Sequence, residues 1–239
     1  MTYFEPLHCR LDAFTALRDQ LPHLETTDGL VRAAVAVSMH ELGEADILGV
    51  ETTLDDLAEQ VMDRVFGDDP RALVAHAHHV LFEEARFRGN LGDYDDPANS
   101  YLPTVLRTRL GLPITLTLIY KAVLERVGVP AVGINAPGHF LAGVPSAAVG
   151  ALRSPEALAF IDPFAAGRLL TRDDALARVI KAAGGDLLLD ETTDLLPVAT
   201  HKQWLLRTIR NLRMGFSKRE QAEDVHAMTE MMRLVETSC

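Results

Sequence analysis

Residues 111–141 read GLPITLTLIYKAVLERVGVPAVGINAPGHFL, and this stretch decides the fold class. Proline is common at the first position of a helix, so Pro113 and the apolar run behind it predict a helix that ends near Arg126. The turn formers Gly128-Val129-Pro130 then stop the helix and redirect the chain. The stretch therefore begins with one strongly apolar helix, which we expect to be buried.

Three short apolar segments after this helix predict β-strands. They cover residues 131–136, 140–144 and 157–161, and Pro137-Gly138-His139 joins the first two. Short connections of this kind join antiparallel strands. We therefore predict a mostly helical α+β protein, in which a small antiparallel sheet packs on the 113–126 helix.

Helical patterns also fill the first third of the chain. Residues 29–42 form an apolar segment that ends at Gly43. A second helix is predicted from its N-cap Thr53 to Gly67, and a third over residues 70–86. We expect these segments to form an N-terminal helical bundle.

The C-terminal part is predicted to be helical as well. Thr171 and Asp174 mark a helix start, and Gly184-Gly185 would stop that helix. Apolar residues at helical spacing then predict two helices, over residues 205–216 and 222–235. Such a pair has the size of one tetratricopeptide unit, which cannot bury its own face, so we expect a packing lid or a partner-binding appendage. The predicted parts of the chain are residues 1–88, 89–190 and 191–239.

Charge is distributed unevenly along the 239 residues. The formal net charge is −11, and residues 1–69, with 15 acidic and four basic residues, account for all of it. This excludes the basic surface of a duplex-binding protein and favours basic partners. The segment 202–219 is an exception, since it holds six basic residues and no acidic one. It is either a solvated helix face or a stripe that binds an anion or a partner.

Targeting and cysteine patterns are weak. No apolar stretch approaches the roughly 20 residues that span a bilayer, and the N-terminus lacks the apolar run of a signal peptide. We expect a cytoplasmic protein.

Cys9 and Cys239 lie at opposite ends of the chain, which indicates neither a disulfide framework nor a zinc ribbon. His76, His79 and Glu83 share one helical face, but that face borders an apolar stripe and has no fourth ligand, so we predict no metal site.

An ordered set of motifs resembles the SirB-type family of transglutaminase-like proteins. The motifs are Leu81-Phe82-Glu83-Glu84, Phe87-Arg88-Gly89-Asn90, Asp93-Tyr94, Asn99-Ser100, Gly111-Leu112-Pro113-Ile114-Thr115-Leu116, Pro137-Gly138-His139-Phe140-Leu141 and Asp162-Pro163-Phe164. The resemblance extends over nearly the whole chain. It implies a papain-like transglutaminase core followed by tetratricopeptide-like helices, in a family of bacterial regulators.

The resemblance also implies the residues of the site. Transglutaminase-like thiol enzymes use a cysteine at a helix start, a histidine on the next strand and an aspartate on the strand after it. His139 matches the histidine, and Asp162 matches the aspartate that would orient the imidazole. The helix start holds Thr115 and no cysteine, and a threonine hydroxyl has no accessible anion. Its hydroxyl is then either a replacement nucleophile or a cap of the helix start.

The turn-rich loop 89–100 and the residue before His139 supply further candidates. Asn99 and Ser100 would either line the cleft or cap the helix that follows them. Asn90 would line the cleft or adopt a left-handed turn. Gly138, with Pro137 before it, would let the backbone approach another group closely or would merely turn the chain.

These expectations lead to a function. We predict a non-catalytic regulatory or scaffold protein that binds a peptide or protein partner in a vestigial cysteine-protease-like cleft. The alternative is an amide or ester hydrolase that uses Thr115, His139 and Asp162. No cofactor, nucleic acid or membrane partner is expected, and the sequence leaves the oligomeric state open.

Overall fold

The structure is a computed structural model, and it describes residues 5–44, 46–150, 157–182 and 194–238. The chain divides into two compact units that alternate along the sequence. One unit contains Met1–Glu51, Asn90–Thr108 and Thr200–Cys239, and the other contains Thr52–Gly89 and Arg109–Ala199. We call them the first and the second unit. The three consecutive parts predicted from the sequence stay a prediction.

Helices dominate the described residues. They are α1 (Leu11–Gln20), α2 (Thr27–Leu42), α3 (Ile47–Met62), α4 (Pro70–His78), α5 (Leu102–Thr108), α6 (Pro113–Arg126), α7 (Arg172–Ala182), α8 (His201–Lys218) and α9 (Ala222–Thr237). A π-helical segment, His79–Glu84, continues α4, and short 3-10 helices include Pro97–Ser100 and Pro163–Ala165. In the described part of the chain, no helix is long and apolar enough to cross a membrane.

The strands found among the described residues all belong to the second unit. They are β1 (Arg88–Gly89), β2 (Leu110–Gly111), β3 (Val132–Ile134), β4 (Leu141–Pro145), β5 (Leu158–Asp162) and β6 (Arg168–Leu170). β1 and β2 form a short parallel pair, and β3 to β6 form an antiparallel sheet in chain order. The predicted antiparallel sheet is confirmed, with β6 as a strand that the sequence analysis did not include.

Helix α6 is the centre of the second unit. Pro113 occupies its first turn, and the side chains from Pro113 to Leu124 are buried. The helix contacts β3 and β4, as predicted. On the sheet, Ile134, Phe160 and Leu170 form a core with Ala175 and Val179 of α7. The sheet and its two helices therefore fix the ends of β4 and β5 firmly in place.

The first unit is helical. Helix α8 begins with a capping box, in which Thr200 and Gln203 each bond the backbone N–H of the other. Helices α8 and α9 pack against each other, as do α1 and α2. The two predicted C-terminal helices are therefore confirmed.

One of three predicted helix boundaries differs from the structure. Helix α2 ends at Gly43 as predicted, and Gly43 has the positive φ of 73° that favours glycine. Thr53, however, lies inside α3 and is not its N-cap, because the helix starts six residues earlier, where Asp46 accepts the N–H of Gly49. Helix α4 begins at Pro70 with Asp69 as N-cap.

The boundaries of α7 were predicted in part. Thr171 and Asp174 do bond reciprocally at its start. The predicted stop at Gly184-Gly185 lies outside the described residues.

Candidate functional site

The start of α6 was predicted to hold the position of the nucleophile. The N-cap is Leu112, and no side chain caps the helix. Thr115 is 4% exposed, and its Oγ1 has no hydrogen-bond partner among the described residues. The capping role considered for Thr115 is therefore wrong, and no hydrogen bond joins its hydroxyl to His139.

His139 lies at the end of the connection between β3 and β4. Gly138 has a φ of 68°, which glycine adopts without strain, and the N–H of His139 donates to the carbonyl of Ala136. The turn directs the imidazole toward β5, where Nε2 lies 3.0 Å from Oδ2 of Asp162. The side chain of His139 is 10% exposed. Since Asp162 engages Nε2, any proton transfer by this ring would use Nδ1.

Asp162 is the last residue of β5, and its carboxylate is fully buried. Its Oδ1 accepts the N–H of Ala165, and its Oδ2 contacts both His139 and the guanidinium of Arg178. Burial raises the pKa of Asp162, but the hydrogen bond from His139 and the charges of His139 and Arg178 outweigh burial, so the pKa lies below its ordinary value. The predicted pair of His139 and Asp162 is thus formed.

Arg178 is a residue of this cluster that the sequence analysis missed. It lies on α7, its side chain is 28% exposed, and it forms an ion pair with Asp162. No local pattern marks it, since the two residues are 16 positions apart. One general signal could have found it, because a fully buried carboxylate needs a cation or several donors nearby.

An aromatic side chain borders the cluster. The ring of Phe164 meets that of His139 edge to face, with centroids 6.1 Å apart. Gly89 of β1 lies against Phe164, and a Cβ at this position would come within 2.3 Å of the ring. The motif around Gly89 therefore brings β1 against the segment that follows Asp162.

Asn90, Asn99 and Ser100 belong to the first unit, and the two asparagines stabilise their own loop. Asn90 accepts the N–H groups of Gly92 and Asp93 through Oδ1 and donates to Asn99. Asn99, which is buried like Ser100, donates to the carbonyls of Asp93 and Tyr94. Asn99 therefore does not cap the following helix, and Asn90 is not left-handed. Their role in binding stays a prediction.

The histidines of the π-helical region are engaged by other side chains. His78 Nε2 lies 2.8 Å from the hydroxyl of Tyr120, and burial lowers the pKa of His78 to about 4. His79 contacts Glu83 and Glu84. Across the described ranges, no group of three or more His, Cys, Asp or Glu residues is placed to hold a metal ion.

A cavity of about 540 Å³ lies beside β6, away from the cluster. Its lining includes Leu158, Phe160, Leu170 and Arg172, but none of the three predicted catalytic residues. The side chains of the cluster are instead mostly enclosed by protein.

One protein family matches more than half of the chain. The family described as the transglutaminase-like superfamily matches residues 49–210, which include Thr115, His139, Asp162 and Arg178. No solved structure matches the chain.

Relatives of two kinds are similar to the chain. A UPF0162 protein of Xylella fastidiosa is 36% identical over 140 residues, which are 58% of this chain and 47% of the relative. A UPF0162 protein of Pseudomonas aeruginosa is 30% identical over 77% of this chain and 62% of its own length. The human F-box only protein 21 is 32% identical over 60% of this chain and 21% of its own length. The chain spans about half the length of the Xylella relatives that it matches.

Proposed function

Because the chain belongs to the transglutaminase-like superfamily, we propose that it is a non-catalytic regulatory or scaffold protein of the SirB type. It binds a peptide or protein partner at the vestigial cleft around His139 and Asp162. The observation that carries this proposal is the state of Thr115, whose buried hydroxyl has no hydrogen-bond partner in the described part of the chain.

The missing nucleophile supports the proposal. A catalytic hydroxyl must lie within about 3 Å of its general base, at a position that the substrate can reach. Thr115 is enclosed and has no base. Removal of the nucleophile of a catalytic triad reduces turnover by about a million-fold. A chain without it keeps the recognition surface and loses the chemistry.

The environment of Asp162 supports the proposal as well. In a catalytic triad, the carboxylate stabilises the imidazolium that forms during the reaction. Here the same oxygen that contacts His139 also contacts Arg178, so a fixed cation already neutralises much of the charge. This arrangement favours a structural role for Asp162 over support of a base.

The relatives are compatible with a binding module. Regions similar to this chain form about half of the Xylella UPF0162 proteins and about a fifth of F-box only protein 21. The similar region thus occurs in chains of very different length. Such an occurrence is typical of a recognition domain, which can be joined to other domains.

The first experiment tests catalysis directly. The purified chain would be incubated with p-nitrophenyl acetate and with a fluorogenic peptide amide, beside the variants Thr115→Ala and His139→Ala. We expect the same background rate from all three proteins. A rate that falls in both variants would support the alternative hydrolase, which uses Thr115, His139 and Asp162, and would overturn the proposal.

The second experiment tests recognition at the cleft. A displayed library of random peptides would be selected on the wild-type chain, and the enriched peptides would be measured against His139→Ala. The matched control is His79→Ala, since His79 is 46% exposed and lies outside the cluster. We expect at least tenfold weaker binding to His139→Ala alone. Peptides that bind both variants equally, or a selection that enriches none, would contradict the proposal.

A further inference from the structure

The turn between α3 and α4 exposes a large apolar side chain. Phe66 is fully exposed, and Met62, the last residue of α3, is 48% exposed. The opposite face of α3 packs inward through Leu54, Leu57 and Val61. The exposure of Phe66 therefore does not come from a helix that fails to pack. A fully exposed phenylalanine is typical of a site where a binding partner covers the side chain.

The surroundings of Phe66 are acidic. Asp56 and Glu59 lie on the exposed face of α3, Asp63 directly follows the helix, and Asp68 follows Phe66 in the turn. In the part of the chain that the structure describes, none of these four carboxylates forms an ion pair. We call Asp56, Glu59, Met62, Asp63, Phe66 and Asp68 the Phe66 surface.

The basic side chains near the Phe66 surface already form ion pairs with other carboxylates. Arg64 pairs with Glu84, and Arg71 pairs with Asp69. Arg126 pairs with Asp55, the acidic neighbour of Asp56. These pairs leave four negative charges around two apolar side chains. The field at this surface attracts cations and repels acidic peptides and anionic membranes.

We propose that the Phe66 surface is a docking site for a basic amphipathic protein segment, one that combines lysine or arginine side chains with an apolar cavity or stripe that accepts Phe66. The segment buries Phe66 and Met62 at the centre, and its cations pair with the four carboxylates at the rim. This is the usual arrangement of a transient interface, with an aromatic anchor and a charged border. The site is separate from the cluster at His139 and does not depend on the function proposed above.

The division of roles predicts two kinds of effect. Phe66 supplies affinity through burial, because aromatic anchors contribute about 2 kcal/mol or more, which is roughly thirtyfold in affinity. The carboxylates supply attraction over distance, so they raise the association rate and make binding sensitive to salt.

The experiment uses the full chain and a synthetic 14-residue Leu–Lys amphipathic peptide, with binding followed by fluorescence anisotropy. A Leu–Glu peptide of the same pattern is the control for the partner. We expect binding of the Leu–Lys peptide only, and Phe66→Ser should weaken it about thirtyfold. The matched control is Leu91→Ser, which removes another side chain that is 83% exposed and should leave the affinity unchanged.

A second pair of variants tests the charges. Asp56, Glu59, Asp63 and Asp68 would be changed together to their amides, and a control variant would lose the same number of charges at Glu25, Glu41, Glu44 and Asp173, all exposed. Only the first variant should lose most of the affinity and most of its dependence on salt. All positions are at the surface, and thermal unfolding by circular dichroism verifies that each variant is folded.

Four results would overturn the proposal. They are no binding of the Leu–Lys peptide, equal loss in Phe66→Ser and Leu91→Ser, equal loss in the two charge variants, and preference for the Leu–Glu peptide. Sedimentation of the chain alone adds a further check. A dimer that Phe66→Ser dissociates would assign the surface to a second copy and would also overturn the proposal.

Discussion

Two histidine–aspartate pairs, one in each unit, have nearly the same geometry and different surroundings. His139 and Asp162 in the second unit, and His40 and Asp224 in the first, are each joined through Nε2 at 3.0 Å. Both histidine side chains are about nine-tenths buried. Only the pair of His139 and Asp162 matches a catalytic pattern in the sequence. A short distance between histidine and aspartate therefore does not by itself identify a site of catalysis.

The surroundings separate the two pairs. Nδ1 of His40 accepts the backbone N–H of Arg10, so this ring donates through Nε2 and connects the segment before α1 to α9. Asp224 is 19% exposed, and Gln221 donates to its other oxygen. Asp162 is fully buried and has a cation, Arg178, in addition to its histidine. The first unit uses its pair as a link between segments, whereas the second unit encloses an ion cluster.

The largest effect on stability is expected when the two histidine–aspartate pairs are broken in turn. Asp162→Ala removes a buried carboxylate that three groups share, and we expect it to lower the free energy of unfolding by about 4 kcal/mol. Asp224→Ala removes a partly exposed carboxylate from neutral donors and a histidine, and about 1 kcal/mol is expected. Urea unfolding at pH 7 measures both.

Equal losses in these variants would show that burial and the cation do not distinguish the pairs. Arg178→Gln provides the control for the cation. It keeps Asp162 and removes only the charge, so its loss should fall between the other two.

The second effect concerns His78, whose partner is the hydroxyl of Tyr120 instead of a carboxylate. Burial lowers the pKa of His78 to about 4, from 6.5 for the unfolded chain. The unfolded state therefore binds more protons between these values, and protons favour unfolding. The stabilisation is complete above about pH 6.5 and falls by about 3 kcal/mol as the pH approaches 4.

His78→Gln tests this dependence on pH. Glutamine keeps a polar partner for Tyr120 and does not titrate, so the variant should lose about 3 kcal/mol less than the wild type between pH 6.5 and 4. Urea unfolding over this range measures the difference. A parallel loss in His78→Gln would contradict the burial effect.

Sequence patterns predicted the helices and strands better than the side-chain contacts between them. The bounds of α6 were correct because Pro113 starts the helix and a glycine turn follows its end. The start of α3 was missed because Thr53 resembles an N-cap, while the apolar spacing continues back through Val50 to the true cap at Asp46. Strand β6 has three residues, which is too short for a periodic signal.

The site was predicted only where a motif describes it. His139 and Asp162 lie in motifs, and the structure joins them as expected. Arg178 lies in none, because an ion pair between a strand end and a helix depends on how the two elements pack. Asn99 was predicted as a cap or cleft residue, yet its amide bonds the carbonyls of its own loop. Local patterns cannot choose among several acceptors for one polar side chain.

The smallest effect tests whether the pair at His139 has any reacting neighbour. Thr115 and Thr117 both have buried hydroxyls without hydrogen-bond partners among the described residues, but only Thr115 lies at the predicted position of a nucleophile. Valine has nearly the same shape and no hydroxyl, so each substitution removes an unsatisfied polar atom. We expect Thr115→Val and Thr117→Val each to raise the free energy of unfolding by about 1 kcal/mol. Thr117→Val is therefore the reference. A loss of stability or of peptide binding in Thr115→Val alone would reveal a hydrogen bond from the Thr115 hydroxyl. His139 would then have a reacting neighbour, which would distinguish it from His40.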